Sequence, residues 1–143
     1  MKKIIILLFI ALFAITKSNA QTTAVTDTLA YLKSIEANKA LYIGQPFSVL
    51  MDSLKINIKF FSPFASIPYD KNKETSTSFS FYFPQNAEEI YLTYPSLEIY
   101  WLPYLNDTQS RALYTQYRSI GWNNIIANYY STAIVHDIKV RDL

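Results

Sequence analysis

Residues 77–84 read Thr77-Ser78-Phe79-Ser80-Phe81-Tyr82-Phe83-Pro84, and the alternation in this stretch decides the fold class. Thr77, Phe79, Phe81 and Phe83 fall on one side of a chain of period two, with Ser78, Ser80 and Tyr82 on the other. That is a β-strand with an apolar face and a polar face. Pro84 closes it, having no N–H to give to a ladder. Upstream, Ile56, Ile58 and Phe60 alternate with Asn57 and Lys59 and predict another strand. Pro63 and Pro68 bracket an irregular segment, and the weakly hydrophobic stretch from Asp70 to Ser78 is expected to be an exposed loop. Downstream, Ile90, Leu92 and Tyr94 predict a third strand stopped by Pro95. Leu97, Ile99 and Trp101, alternating with Glu98 and Tyr100, predict a fourth stopped by Pro103. Ser131 to Val140 reads as a closing strand, with Ile134, His136, Ile138 and Val140 on one side.

Around the strands the period changes to that of a helix. Thr26 or Asp27 is placed to cap a helix carrying Leu29, Leu32 and Ile35, which should end before Gly44. Pro46 suits the first turn of a second, short helix with Phe47, Leu50, Met51 and Leu54 on one stripe. A third starts at Asn106 or Asp107, carries Leu113, Tyr117 and Ile120, and ends near Arg118 with Gly121 as its cap. Residues 122–130 read equally as a short helix or a loop. The order is therefore α-α-β-β-β-β-α-β. It predicts a small α+β domain: an antiparallel sheet of about five strands with two or three helices packed on one face. The four central strands lack crossover helices between them, which disfavours a parallel sheet.

The first twenty residues have the layout of a cleavable secretory signal. Lys2 and Lys3 precede an apolar run from Ile4 to Ile15, and Ser18 and Ala20 form a small-residue cleavage pattern. The run is shorter than the roughly 20 residues a membrane span needs, and Lys17 interrupts it. The expected division is a signal over 1–20 and one globular domain over 21–143, with no transmembrane segment after cleavage. The Lys-Lys start and the Gln after the cut resemble bacterial export signals in style. The expected location is therefore periplasmic or extracellular.

The chain has no Cys, so it has neither a thiol for a lipid anchor nor disulfides, and its core must hold the fold unaided. Of thirteen basic residues, Lys2, Lys3 and Lys17 belong to the signal; ten remain against eleven acidic, a net charge of −1. A near-neutral domain without a basic cluster is not built to neutralise phosphates, and nucleic acid is excluded as a partner. Two glycines in 143 residues leave no Gly-rich phosphate loop.

The chemical inventory is thin. A single histidine, His136, and no cysteine exclude a His-cluster metal site, a zinc ribbon and a Cys nucleophile. His136 reads as structural, and there is no Gly-x-Ser-x-Gly elbow to make it part of a triad. No metal or cofactor is expected. Asp70 to Glu74 alternates oxygens with two lysines and reads as a solvated loop rather than a calcium site. Glu88, Glu89 and Glu98 are the acids weighed for glycosidase-type work.

The feature beyond ordinary core composition is aromatic density. Tyr82, Tyr91, Tyr94, Tyr100, Trp101 and Tyr104 crowd a segment with few charges, and these six are the candidate binding residues. Tyr82, Tyr91 and Tyr100 are expected to share a sheet face, offering rigid apolar area with hydroxyl handles for a protein or for sugar rings. The leading expectation is a non-catalytic binding module whose partner is an envelope protein or a glycan. Two alternatives stand beside it: a carboxylate-based enzyme acting on glycan or peptidoglycan, and an inhibitor-like or structural envelope protein docking through an edge strand.

Overall fold

A computed structural model of the protein describes residues 24–142, so the signal segment lies outside the described residues. The element order is α1 (Thr28–Ala37), a 3-10 turn (Lys39–Leu41), α2 (Phe47–Ser53), β1 (Phe60–Phe64), β2 (Lys73–Ser80), a π-helical turn (Glu89–Thr93), β3 (Ser96–Asn106), α3 (Asp107–Tyr117), α4 (Asn124–Ser131) and β4 (Val135–Arg141). The four strands form one antiparallel sheet in the order β1-β2-β3-β4. The α+β class is as the sequence predicts. The strand count is four rather than about five, and four helices replace two or three. No helix among the described residues is long and apolar enough to cross a membrane.

The expected third strand is the missing one. Asn86 accepts a hydrogen bond from the Glu89 backbone (3.0 Å), while the Glu89 carboxylate accepts one from the Gln85 N–H (2.7 Å). Such reciprocal capping starts a helical turn, and it overrides the alternation of Ile90, Leu92 and Tyr94. The first strand is displaced: pairing runs over Phe60–Phe64 rather than Ile56–Phe60. It includes Pro63, which β1 tolerates as an edge strand. The supposed loop from Asp70 to Ser78 is mostly strand, since β2 starts at Lys73 and residues 74–80 are buried. Pro103 does not stop β3, which runs on to Asn106 past a register shift between Glu74 and Ser76 on its partner.

The helix signals read more directly. The Asp27 side chain caps α1 (2.9 Å to the Ala30 N–H), Asn106 caps α3, and Asn123 caps α4, which resolves residues 122–130 into a helix from Asn124 preceded by Trp122 and the cap. Cross-strand partners Phe61, Phe79, Leu97 and Val140 lie in one row, and Thr77, Ile99 and Ile138 in the next. Against this face pack Leu32 and Ile35 of α1, Phe47 and Leu50 of α2, and Ile126 and Tyr130 of α4. Helix α3 lies along β1, where Tyr114 meets Phe60 and Phe61 edge-on at 5.9 and 6.0 Å.

The interior is aromatic. Phe79 stacks on Phe47 (4.7 Å) and meets Trp101, Trp122 and Tyr130 edge-on. Tyr130 in turn stacks with both Trp101 (5.7 Å) and Trp122 (6.3 Å). On the opposite sheet face Ser62, Ser76, Ser78 and Ser80 are also buried. They are short residues among tall ones: the Arg141 guanidinium lies over the Phe64 ring, 5.6 Å from its centroid.

Both edges of the sheet are blunted. On β4, the Val140 N–H donates to Glu36 (3.2 Å), the Ile138 N–H to Asp137 (2.9 Å), and the Val135 N–H to the Gln45 carbonyl (3.0 Å). Donors taken by side chains and by the loop before α2 do not template a second strand. β1 is five residues long and carries Pro63.

Both glycines have positive φ, Gly44 at 79° and Gly121 at 88°. Only Gly121 is also crowded, since a Cβ there would lie 2.6 Å from the Lys59 carbonyl and 2.9 Å from Phe83. Gly44→Ala should therefore cost about 1 kcal/mol, the backbone penalty alone. Gly121→Ala should cost about 2–4 kcal/mol, because overpacking adds to it. Urea denaturation of the two variants checks this ordering, and equal losses would contradict it.

Candidate functional site

The six aromatic candidates do not form one surface. Trp101 is fully buried at the centre of the core, where it cannot meet a ligand. Tyr91 belongs to the π-helical turn rather than a strand, and its side chain lies outside the described part of the structure. Tyr100 is half-buried on the outer sheet face, with the Lys139 ammonium 4.9 Å from its ring centroid. Tyr104 is exposed at the far end of β3, ten residues from Tyr94, on the order of 30 Å along an extended chain. Among the described side chains of this set, Tyr82 and Tyr94 are the exposed pair that comes together: their rings stack at 4.4 Å and 18°, and both are partly exposed. The expected common face of Tyr82, Tyr91 and Tyr100 is absent because β2 ends at Ser80 and the third strand does not form.

The stacked pair borders a trough. Tyr82 lines a groove of ≈ 370 Å³ with Thr28, Lys55, Ile56, Asn57, Lys59 and Phe81. Ile56 and Asn57 also line a second groove of ≈ 330 Å³, which continues to Met51, Trp122 and Asn124. The two grooves thus share Ile56 and Asn57 in their walls. Tyr94 backs one ring and the core holds the other: Trp122 is fixed against Tyr130, Phe61 and Phe79. The Trp122 N–H donates to the Lys59 carbonyl (2.9 Å), which ties the floor of one groove to the wall of the other. The sequence points to Tyr82 but not to Trp122, whose place on the wall depends on residues 122–130 folding as a turn and a helix.

A second constellation is internal. Glu74 is fully buried, and its Oε1 accepts hydrogen bonds from Thr77 Oγ1 and from Tyr130 OH (3.0 Å). Thr77 is itself held by the Trp101 indole N–H at 2.8 Å. Asp107, 4% exposed, pairs with Arg111 at 2.6 Å. Glu74 Oε2 and Asp107 Oδ1 are buried without a hydrogen-bond partner among the described residues. Burial pushes the Glu74 carboxyl up to about 7; hydroxyls of Thr77, Ser110 and Tyr130 oppose the rise, and the Asp107 charge adds to it. Burial, followed by the Glu74 charge, pushes neighbouring Tyr129 up to about 12. A raised carboxyl beside a second acid has the composition of an acid–base pair. It has no access: Glu74 is sealed, and neither acid lines the grooves described here. The cluster holds the irregular end of the β2–β3 pairing to α3 and α4.

The remaining candidates are local. His136 is exposed rather than sharing a face with Ile138, because the β3–β4 register shifts at Tyr100/Trp101 and leaves His136 unpaired between Val135 and Asp137. Asp70 pairs with Lys73 at 3.0 Å across a tight turn. Glu89 caps the π-helical turn, and Glu98 accepts from Ser76 at 2.9 Å and faces Arg141 at 3.7 Å. No cluster of three potential metal ligands occurs among the described residues. Comparison with protein-family models, curated proteins and solved structures found no match to this chain.

The raised Glu74 carboxyl gives a pH signature of determinate sign. An acid whose pKa is higher folded than unfolded holds its proton more tightly when folded. Its contribution to stability is therefore largest below the ordinary value of 4.5, falls as pH rises to about 7, and levels off above that. The span corresponds to roughly 3 kcal/mol. Glu74→Gln, which cannot ionise, should lack this fall. Relative to the variant, the native protein should lose about 3 kcal/mol between pH 4.5 and 7.5 in guanidinium titrations. Parallel curves for the two proteins would contradict the assignment.

Proposed function

We propose that this protein is an exported, non-catalytic binding module whose trough holds a glycan chain. The observation that carries the reading is the pair of neighbouring grooves that share Ile56 and Asn57, with Tyr82 on the wall of one and Trp122 on the wall of the other. Sugar rings present flat C–H faces that pack on aromatic side chains, and their hydroxyls need amide and hydroxyl partners. Asn57, Asn124 and Thr28 supply such groups along the walls. Two neighbouring grooves suit successive units of a polymer better than one small molecule.

Export rests on the Lys-Lys, apolar and Ser-x-Ala pattern of residues 1–20. A protein partner is the less favoured occupant. The exposed rings are few and set in a concavity, whereas a stable protein interface buries roughly 800 Å² per partner. An enzymatic reading through Glu74 and Asp107 would need a route to a sealed carboxyl. Docking through an edge strand would need free donors on β4, where three are taken.

The test uses the domain 21–143, offered in parallel to insoluble cell-wall glycan and to solubilised envelope proteins. The expected result is retention on glycan. Tyr82→Ala/Tyr94→Ala should weaken it about ten-fold, equivalent to about 1.4 kcal/mol. Tyr100→Ala, on the outer sheet face, should not. Retention on the protein fraction alone, or retention untouched by the double variant, would overturn the reading.

A further inference from the structure

We infer that the glycan taken by this trough is anionic: a chain of sugar rings bearing carboxylates, met by Lys55 and Lys59. The inference rests on the glycan reading and adds the charge of the ligand. Lys55 and Lys59 both line the Tyr82 groove, one on either side of Ile56–Asn57. Neither forms an ion pair among the described residues, a state they share with Lys71, Arg118 and Lys139; of these five, only Lys55 and Lys59 line the Tyr82 groove. No Asp or Glu lines either groove. Asp27, next to Thr28, has its carboxylate turned to the Ala30 N–H at 2.9 Å.

The local charge is therefore positive in a domain whose overall charge is slightly negative, and both lysines line the same groove as the ring that would carry the sugar. A neutral polymer would leave both ammonium groups unused. A uronic-type unit stacked on Tyr82 would bring its carboxylate to the groove wall that holds them. Exposed ion pairs are individually weak and salt-sensitive, so the lysines tune selectivity while the rings and amides supply the contact.

The experiment compares polygalacturonate with dextran, each immobilised, for the native domain 21–143, Lys55→Gln/Lys59→Gln and Tyr82→Ala/Tyr94→Ala. Polygalacturonate should be held more tightly than dextran. The lysine variant should lose about five-fold on polygalacturonate, the effect of two exposed ion pairs, and nothing on dextran, which also reports that it is folded. Raising salt from about 50 to about 500 mM should erase the preference. Equal retention of the two polymers, or a lysine variant that keeps the preference, overturns the anionic assignment. If the tyrosine variant still loses both polymers, the glycan reading survives that failure. Retention of neither polymer by the native domain overturns both.

Discussion

A carboxyl group without access to water sits where β2, β3, α3 and α4 meet, and the architecture around it follows from the need to satisfy it. Leaving Glu74 unpaired would cost several kcal/mol, so the fold surrounds it with donors. Tyr130 of α4 and Thr77 of its own strand donate to one oxygen, and the Trp101 indole of β3 fixes Thr77 in turn. Each donor is also a core element. Tyr130 is stacked with both tryptophans, and Thr77 lies in the row with Ile99 and Ile138. The polar chain and the aromatic cluster thus orient each other, which specifies how α4 sits on the sheet more tightly than apolar contacts alone would. The second oxygen, lacking a partner, makes the proton on this group a structural component near neutral pH.

The same site shows why part of the fold was legible in sequence and part was not. Where alternation joined large apolar residues, as at Phe79, Leu97, Ile99 and Trp101, burial followed the pattern closely. Where β2 ran through Lys73-Glu74-Thr75-Ser76, its composition suggested solvent, and the strand went unread. Thr75 and Thr77 carry the alternation back from Phe79, a weak signal outweighed by polarity. The burial of the serines on the outer face, like the approach of Arg141 to Phe64 there, is a tertiary fact with no local signature. The Asn86…Glu89 reciprocal cap was by contrast a local signal, and it prevailed over the alternation of Ile90, Leu92 and Tyr94.

The candidate site divides along the same line. Tyr82 and Tyr94 were visible as part of an aromatic excess, but their pairing required the turn between β2 and β3 to fold back on itself. Trp101 belonged to the same excess and went inward, since an indole at an apolar position of a central strand is core before it is surface. Trp122 offered no strand alternation and no helical stripe. Its position came from Gly121, whose positive φ and close approach to Lys59 and Phe83 turn the chain at the end of α3.

Glu74 and Tyr82 are eight residues apart on a segment that begins in β2 and runs two residues past its end, a separation of up to about 25 Å. At one end of that segment the protein encloses its ionisable chemistry completely; at the other it leaves rings, amides and two unpaired lysines along an open trough. Enclosed carboxyls confer geometry, because they are costly unless every surrounding group is in place. Open rings confer recognition, because they are held rigid by neighbours and still present a free face. A chain with no disulfide has to obtain its rigidity from packing and internal hydrogen bonds. Phe79, next to the last residue of β2, connects the two ends: it touches Tyr130, which binds the acid, and Trp122, which walls the trough. The wall of the trough and the holder of the buried acid are thus parts of one aromatic core.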